Sequence, residues 1–171
     1  MKKTFFGLLL LCVAFLTSCD KLDELTSYED SFSATFTFST QNAAGEGVTE
    51  SQEITSTLKE DLKKNKLDMD KAEAKLLDLL LVLNTPDVTF ADLKSAELYI
   101  TGNGSEQKIA WNNAIPETAG NTLDLEVDKN VDIINTLGSE TIKFKIKFVS
   151  RNAIKTDASA TATVNVKISK K

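Results

Sequence analysis

Four groups of side chains have the types and spacing to do chemistry. Trp111, the only tryptophan, is followed by Asn112, Asn113 and a loop containing Pro116. An indole offers a flat apolar face to sugar C–H groups, and amides bond hydroxyls, so Trp111, Asn112 and Asn113 form a candidate ligand site. The plainer alternative is a core tryptophan on an alternating strand. Asp124, Glu126 and Asp128 share one strand face; they could hold a cation with a neighbouring loop, or simply face water opposite Leu123, Leu125 and Val127. Lys143, Lys145 and Lys147 form a basic stripe, suited to an anionic glycan or to pairing across strands with Asp124 and Glu126. Asp68, Asp70 and Glu73 suggest a calcium loop, but the third ligand and the adjoining glycine are missing, and a solvated turn is the better reading.

Arrangements for catalysis are poorer. Histidine is absent, which removes the commonest general base, the usual triad and the usual zinc ligand. Gly102-Asn103-Gly104-Ser105 lacks the glycine pattern of a nucleophile elbow and has no histidine to serve it. It does not form GxGxxG either, and no phosphate loop is present. The expectation is a protein with no catalytic residues, no resident metal and no cofactor. Carboxylate chemistry stays open, since it needs only two acids about 5–10 Å apart across a cleft.

The remaining reactive group is the Cys19 thiol. It ends the stretch Leu16-Thr17-Ser18-Cys19, which comes after a basic start (Lys2, Lys3) and an apolar run from Phe5 to Leu16. That run is shorter than the roughly 20 residues that span a bilayer and has the layout of a secretory signal. The stretch resembles the lipobox of bacterial lipoproteins. The resemblance implies a signal peptide over 1–18, diacylglycerol on the Cys19 thiol, cleavage before it and often acylation of the new amino terminus. Two or three acyl chains anchor stably, at about 0.8 kcal/mol per buried methylene. The plainer alternative is an ordinary signal with an incidental cysteine.

Residues 20–30 are acidic and polar, and read with Cys19 as a tether over 19–30. The acids near the lipidated cysteine resemble the export signals that send Bacteroidota lipoproteins to the cell surface, although Lys21 and Leu22 interrupt them. Asp20 directly after the cysteine implies inner-membrane retention in enterobacteria, so lineage decides between the two. The Bacteroidota reading is favoured, with a lipid anchor in the outer membrane and the cell surface preferred over the periplasmic face.

The full chain carries a net charge of −5, and losing Lys2 and Lys3 takes it to −7. An acidic domain repels nucleic acid and anionic headgroups. The expected partners are the membrane through the lipid, another envelope protein or a glycan, and no nucleic acid. Cys12 leaves with the signal, so the mature chain has no disulfide.

The elements that must position these groups are mostly strands. Ser31 to Thr40 alternates, with Phe32, Ala34, Phe36 and Phe38 on one face. Asn42 to Gly47 reads as a loop. Glu53 to Lys66 has helical spacing (Ile54, Leu58, Leu62), with Asn65 as a left-handed cap. Lys75 to Leu83 is apolar on both faces and reads as a buried strand, with Asp78 the one residue that fits badly; propensity alone favours a helix there. Phe90 anchors a bend. Ser95 to Thr101 and Gln107 to Trp111 flank Asn103-Gly104, a hairpin with Ile109 and Trp111 on one face. Thr122 to Val127 reads as one strand, Lys129 to Leu137 as a short helix, Thr141 to Val149 as a strand with Ile142, Phe144, Ile146 and Phe148 inward. Ala158 to Ile168 closes the chain as an edge strand guarded by Lys167, Lys170 and Lys171.

About seven one-sided strands and two short helical inserts predict a mainly β, immunoglobulin-like antiparallel sandwich over 31–171. The chain resembles the small lipoproteins of the Bacteroidota built on one such domain. The function this implies is a non-enzymatic, lipid-anchored binding or structural module, or alternatively a surface receptor for a glycan or small ligand.

Overall fold

The alternation that begins the domain runs longer than its phenylalanines. Strand β1 is Ser27–Phe38, with Phe32, Ala34, Phe36 and Phe38 buried. The computed structural model describes residues 27–40 and 43–171; the signal, Cys19 and the acids up to residue 26 lie outside them. Ser27 to Asp30, expected in the tether, instead pair with Ser169 to Val166. Their partners lie at the far end of the chain, which local composition does not reveal.

After β1 come β2 (Gly45–Glu50), β3 (Ile54–Thr55), α1 (Leu58–Lys64), β4 (Ala72–Leu83), β5 (Leu93–Gly102) and β6 (Ser105–Asn112). The rest are β7 (Thr122–Asp124), β8 (Glu126–Val127), α2 (Ile134–Leu137), β9 (Thr141–Ser150) and β10 (Ala158–Lys170). One sheet has the order β1-β10-β4-β7, the other β2-β9-β5-β6-β8 with β3 also beside β9. Every pairing is antiparallel. The molecule is mainly β, two antiparallel sheets forming a sandwich, as the alternating strands predicted.

Side-chain size matches across strands. Ala158, Ala160 and Ala162 of β10 lie opposite Phe38, Phe36 and Ala34, leaving room for rings. Phe38 meets Phe148 of the other sheet edge-on, 5.1 Å between centroids.

Several expectations are corrected. Gly45 to Gly47 belong to β2 and not to a loop; a Cβ on Gly47 would stand 2.4 Å from the Phe148 ring, so glycine is there for close approach. The helical stretch begins as β3, and only Leu58–Lys64 is helix, where Leu58 and Leu62 are buried and Lys63 and Lys64 suit the carboxyl end of the dipole. Lys66, at φ 55°, takes the left-handed conformation expected of Asn65. The second insert shortens to α2, with Asp132 ahead of it accepting from Ile134 N at 3.0 Å. Thr122 to Val127 is two strands: β7 pairs with β4 in one sheet, β8 with β6 in the other, and buried Leu125 turns between them. Strand β10 lies inside its sheet, so the terminal lysines guard no edge.

The hairpin and the strand over Lys75 to Leu83 hold as expected, but that strand buries one face only, with Leu77, Leu80 and Val82 half-buried on the other. Asn103 and Gly104 both have positive φ, the conformation of a primed turn. Strand β4 includes Lys75 to Leu83, and Asp78 is accommodated by an irregularity: Asn165 pairs with Asp78 but Val166 with Leu76. Leu77 is the extra residue. Leu76 and Leu79 can therefore both point inward while Asp78 is exposed.

Candidate functional site

A second bulge decides the position of Trp111. Leu98 pairs with Ala110 and Tyr99 with Lys108, so Ile109 has no partner on β5. Ile109 and Ala110 are both fully buried. One extra residue reverses the facing of the side chains beyond it, and Trp111 leaves the core for the outer face, where it is half-buried. The shared face expected for Ile109 and Trp111 is thus corrected.

Trp111 lies opposite Glu97 on β5 and Glu126 on β8. Its Nε1 donates to Glu126 Oε2 at 3.1 Å. Lys108 Nζ stands 5.5 Å from the ring centroid and 3.1 Å from Glu97 Oε1. The Tyr99 hydroxyl donates to Glu97 Oε2 at 2.7 Å. That bond, with help from Lys108 and Lys147, holds the Glu97 carboxyl below its usual range despite partial burial, and in return raises the Tyr99 phenol.

One groove takes in the extra residue of β4, Leu77, and the ring that the β6 bulge turns outward. It is open, about 740 Å³, and lined by Trp111 and Leu77 with Leu125 and Val127 of the crossover between sheets. Its polar wall is Asp78, Glu126, Asp128, Lys129 and Asn130. Asp78 accepts from Asn165 Nδ2 at 2.7 Å, and Asp128 from Asn130 N at 3.0 Å. An apolar floor with an exposed aromatic and fixed acceptors can hold a small polar ligand that also has an apolar face.

The amides expected beside Trp111 are placed differently. Asn112 Nδ2 donates to Asp124 O at 3.3 Å and its Oδ1 accepts from Ala114 N at 3.1 Å, which pins the adjoining loop. Asn113 is exposed, and neither asparagine lines the groove. Carboxylates take the place of these amides. Two of them, Glu126 and Asp128, belong to the acidic face read from the sequence, whose third member Asp124 lies on β7 outside the groove; the signal of Asp78 was an acid in an apolar run.

The other candidate groups have local partners. Lys143 pairs with Glu53 at 3.3 Å, and Lys145 and Lys147 both with Glu106, the latter at 3.4 Å. Lys147 also stands 4.0 Å over the Tyr99 ring. The expected pairing with Asp124 and Glu126 does not form, because β5 and β6 lie between β9 and Glu126 of β8, and Asp124 of β7 is in the other sheet. Asp68 pairs with Lys71 and Glu73 with Lys75, both at 3.1 Å. Among the described residues no three histidine, cysteine, aspartate or glutamate side chains gather as a metal site.

One cavity was not anticipated. At the end of the sandwich where β1 and β4 finish, about 230 Å³ opens over Phe38, Leu83, Phe90 and Leu93, with Val88 and Ile154 on its sides and Asp87, Asp92 and Lys155 around it. Arg151, the only arginine, ties the neighbouring loops. Its Nη1 donates to Ala91 O at 2.7 Å and to Leu93 O, and its Nη2 to Ile115 O.

No protein-family model and no curated protein matches the chain. Among solved structures it is similar to the acidic stable capsid of Helicobacter pylori bacteriophage KHP30, at 12% identity over 82% of this chain and 91% of that one, TM-score 0.35. It is also similar to the family 32 CBM from C. perfringens NanJ in complex with galactose, at 10% identity over 80% of this chain and 93% of that one, TM-score 0.33. A third is a putative GDSL-like lipase from Bacteroides ovatus, at 16% identity over 82% of this chain and 43% of that one, TM-score 0.28. Likenesses this distant assign no function.

Proposed function

We propose that the chain is an exported lipoprotein, anchored through Cys19 in the outer membrane and displayed at the cell surface, that binds a ligand without converting it. The lipobox-like stretch Leu16-Thr17-Ser18-Cys19 supports the anchor. One observation carries the binding: the Ile109 bulge turns Trp111 out of the core into a groove walled by carboxylates. Carboxylates accept hydroxyl protons, and an aromatic face stacks on C–H groups. Asp78, Glu126 and Asp128 against Lys129 repel an anionic sugar. The ligand class that fits is a neutral saccharide. Under a second reading another envelope protein is the partner; the end cavity favours it, since about 230 Å³ of largely apolar space admits one side chain of a partner.

A glycan array probed with the purified lipoprotein tests the ligand class. Binding to neutral glycans is expected, unchanged in Asn113→Ala and lost in Trp111→Ala. Retention in Trp111→Ala, or an empty array together with an envelope protein recovered by crosslinking, contradicts the saccharide reading. The anchor is tested separately: Cys19→Ser moves the protein from the membrane to the soluble fraction, and full membrane retention contradicts it.

A further inference from the structure

The net charge of the domain hides a segregated pole. Helix α1 and the 3-10 turn Met69–Lys71 border an open basin whose charged residues are Lys59, Lys63, Lys66, Lys71, Asp68 and Asp70. Lys71 is paired with Asp68. Lys59, Lys63 and Lys66 are exposed and form no ion pair among the described residues. The basin is therefore net positive on a strongly negative molecule.

This pole is where the chain enters the sandwich. Ser27, the first residue of β1, pairs with Ser169, which pairs with Glu73, and Lys171 N donates to Lys71 O at 2.7 Å. Two strand spacings of about 4.8 Å thus separate Ser27 from the edge of the basin. Helix α1 is at the same end, since Lys59, Leu62 and Lys63 share the basin with Asp68 to Lys71, which lead directly into β4 at Ala72.

Reach then limits distance. Eight peptide steps join Cys19 to Ser27, spanning at most about 27 Å. Strand β1, with 12 residues, is about 40 Å long. The Ser27 end of β1 therefore stays within about 27 Å of the anchor, and the far end of the strand lies about 40 Å from Ser27. At physiological salt, charges are screened beyond about 8 Å, so the surface meets the local charge of this pole, the basin's lysines together with the acids of residues 20–30, and not the net charge of the domain. Leu67 and Met69, half-buried on the basin, add apolar contact at headgroup depth.

We propose that the basin formed by Lys59, Lys63, Lys66 and Lys71 docks on anionic lipid headgroups, holding the domain upright with the end cavity facing away from the bilayer surface and the Trp111 groove on its flank. This rests on the Cys19 anchor.

The test uses the full lipoprotein, purified in detergent and reconstituted into two kinds of vesicle: phosphatidylcholine alone, and phosphatidylcholine with about a quarter phosphatidylglycerol. Amine-reactive labelling is read by mass spectrometry at each lysine, with Lys155 at the far pole as internal control. Lys59, Lys63 and Lys66 are expected to label several-fold less on the anionic vesicles, with the difference abolished by about 0.5 M salt. In the K59E/K63E/K66E variant, Lys64 and Lys71 should label equally on both vesicles. Equal labelling of the wild-type lysines on the two surfaces, with the protein still vesicle-bound, overturns the docking and leaves the anchor standing. Failure to stay with either vesicle overturns the anchor and the docking with it.

Discussion

Arg151 shows how much one side chain can hold when its geometry is fixed. Its guanidinium fork reaches carbonyls 60, 58 and 36 residues away in sequence, and its Nε lies 3.5 Å from Glu117 Oε1. A lysine places one compact ammonium there and cannot serve both sides of the fork. Arg151→Lys is expected to cost about 1–3 kcal/mol in urea unfolding; an unchanged midpoint and slope would refute that role. Asp132 is the other residue with this kind of reach. Burial pushes its carboxyl up, but N–H donors from Ala74 and Ile134 and the Lys171 ammonium outweigh it and hold it below its ordinary value. A depressed carboxyl contributes stability above its unfolded pKa of about 3.9 and loses it as pH falls through the folded value. The acid-induced loss of stability should therefore be shallower in Asp132→Asn than in the wild type, and parallel curves would contradict this. Neither residue was legible in the sequence, because their partners are mostly backbone groups brought together by the fold.

At the scale of elements, two bulges and one glycine place what periodicity alone misplaces. Strict alternation put Trp111 on the same face as Ile109; the extra residue at Ile109 reverses it. The signal was present as the run Ile109-Ala110-Trp111, three apolar residues where alternation calls for a polar one between two. In β4 the misfit of Asp78 marked a bulge at Leu77. The strands β1, β9 and β10 were readable because each buries one face without interruption, whereas β2 has glycines where a strand normally carries side chains. Gly47→Ala brings a Cβ to 2.4 Å from the Phe148 ring. It is expected to destabilise by about 1–3 kcal/mol, since the ring is packed against Phe38 and has to shift. A variant as stable as wild type would show that β2 tolerates the side chain.

For the whole molecule, the class of fold was legible in the hydrophobic alternation, and the strand order was not. Sequence neighbours do not determine that β10 runs between β1 and β4, nor that the segment after the hairpin crosses from one sheet to the other at Leu125. That crossover runs along the groove, between Leu77 and Trp111. Protease shaving of intact cells is expected to remove the domain while sparing a periplasmic control; protection would place it on the inner side of the envelope. The most direct measurement is the fluorescence of Trp111 itself, since the chain has no other tryptophan. On titration with a neutral glycan retained on the array, the emission should shift and saturate at the concentration that saturates binding. Glycan bound with the emission unmoved would mean that the ligand sits elsewhere and that the groove is not the site.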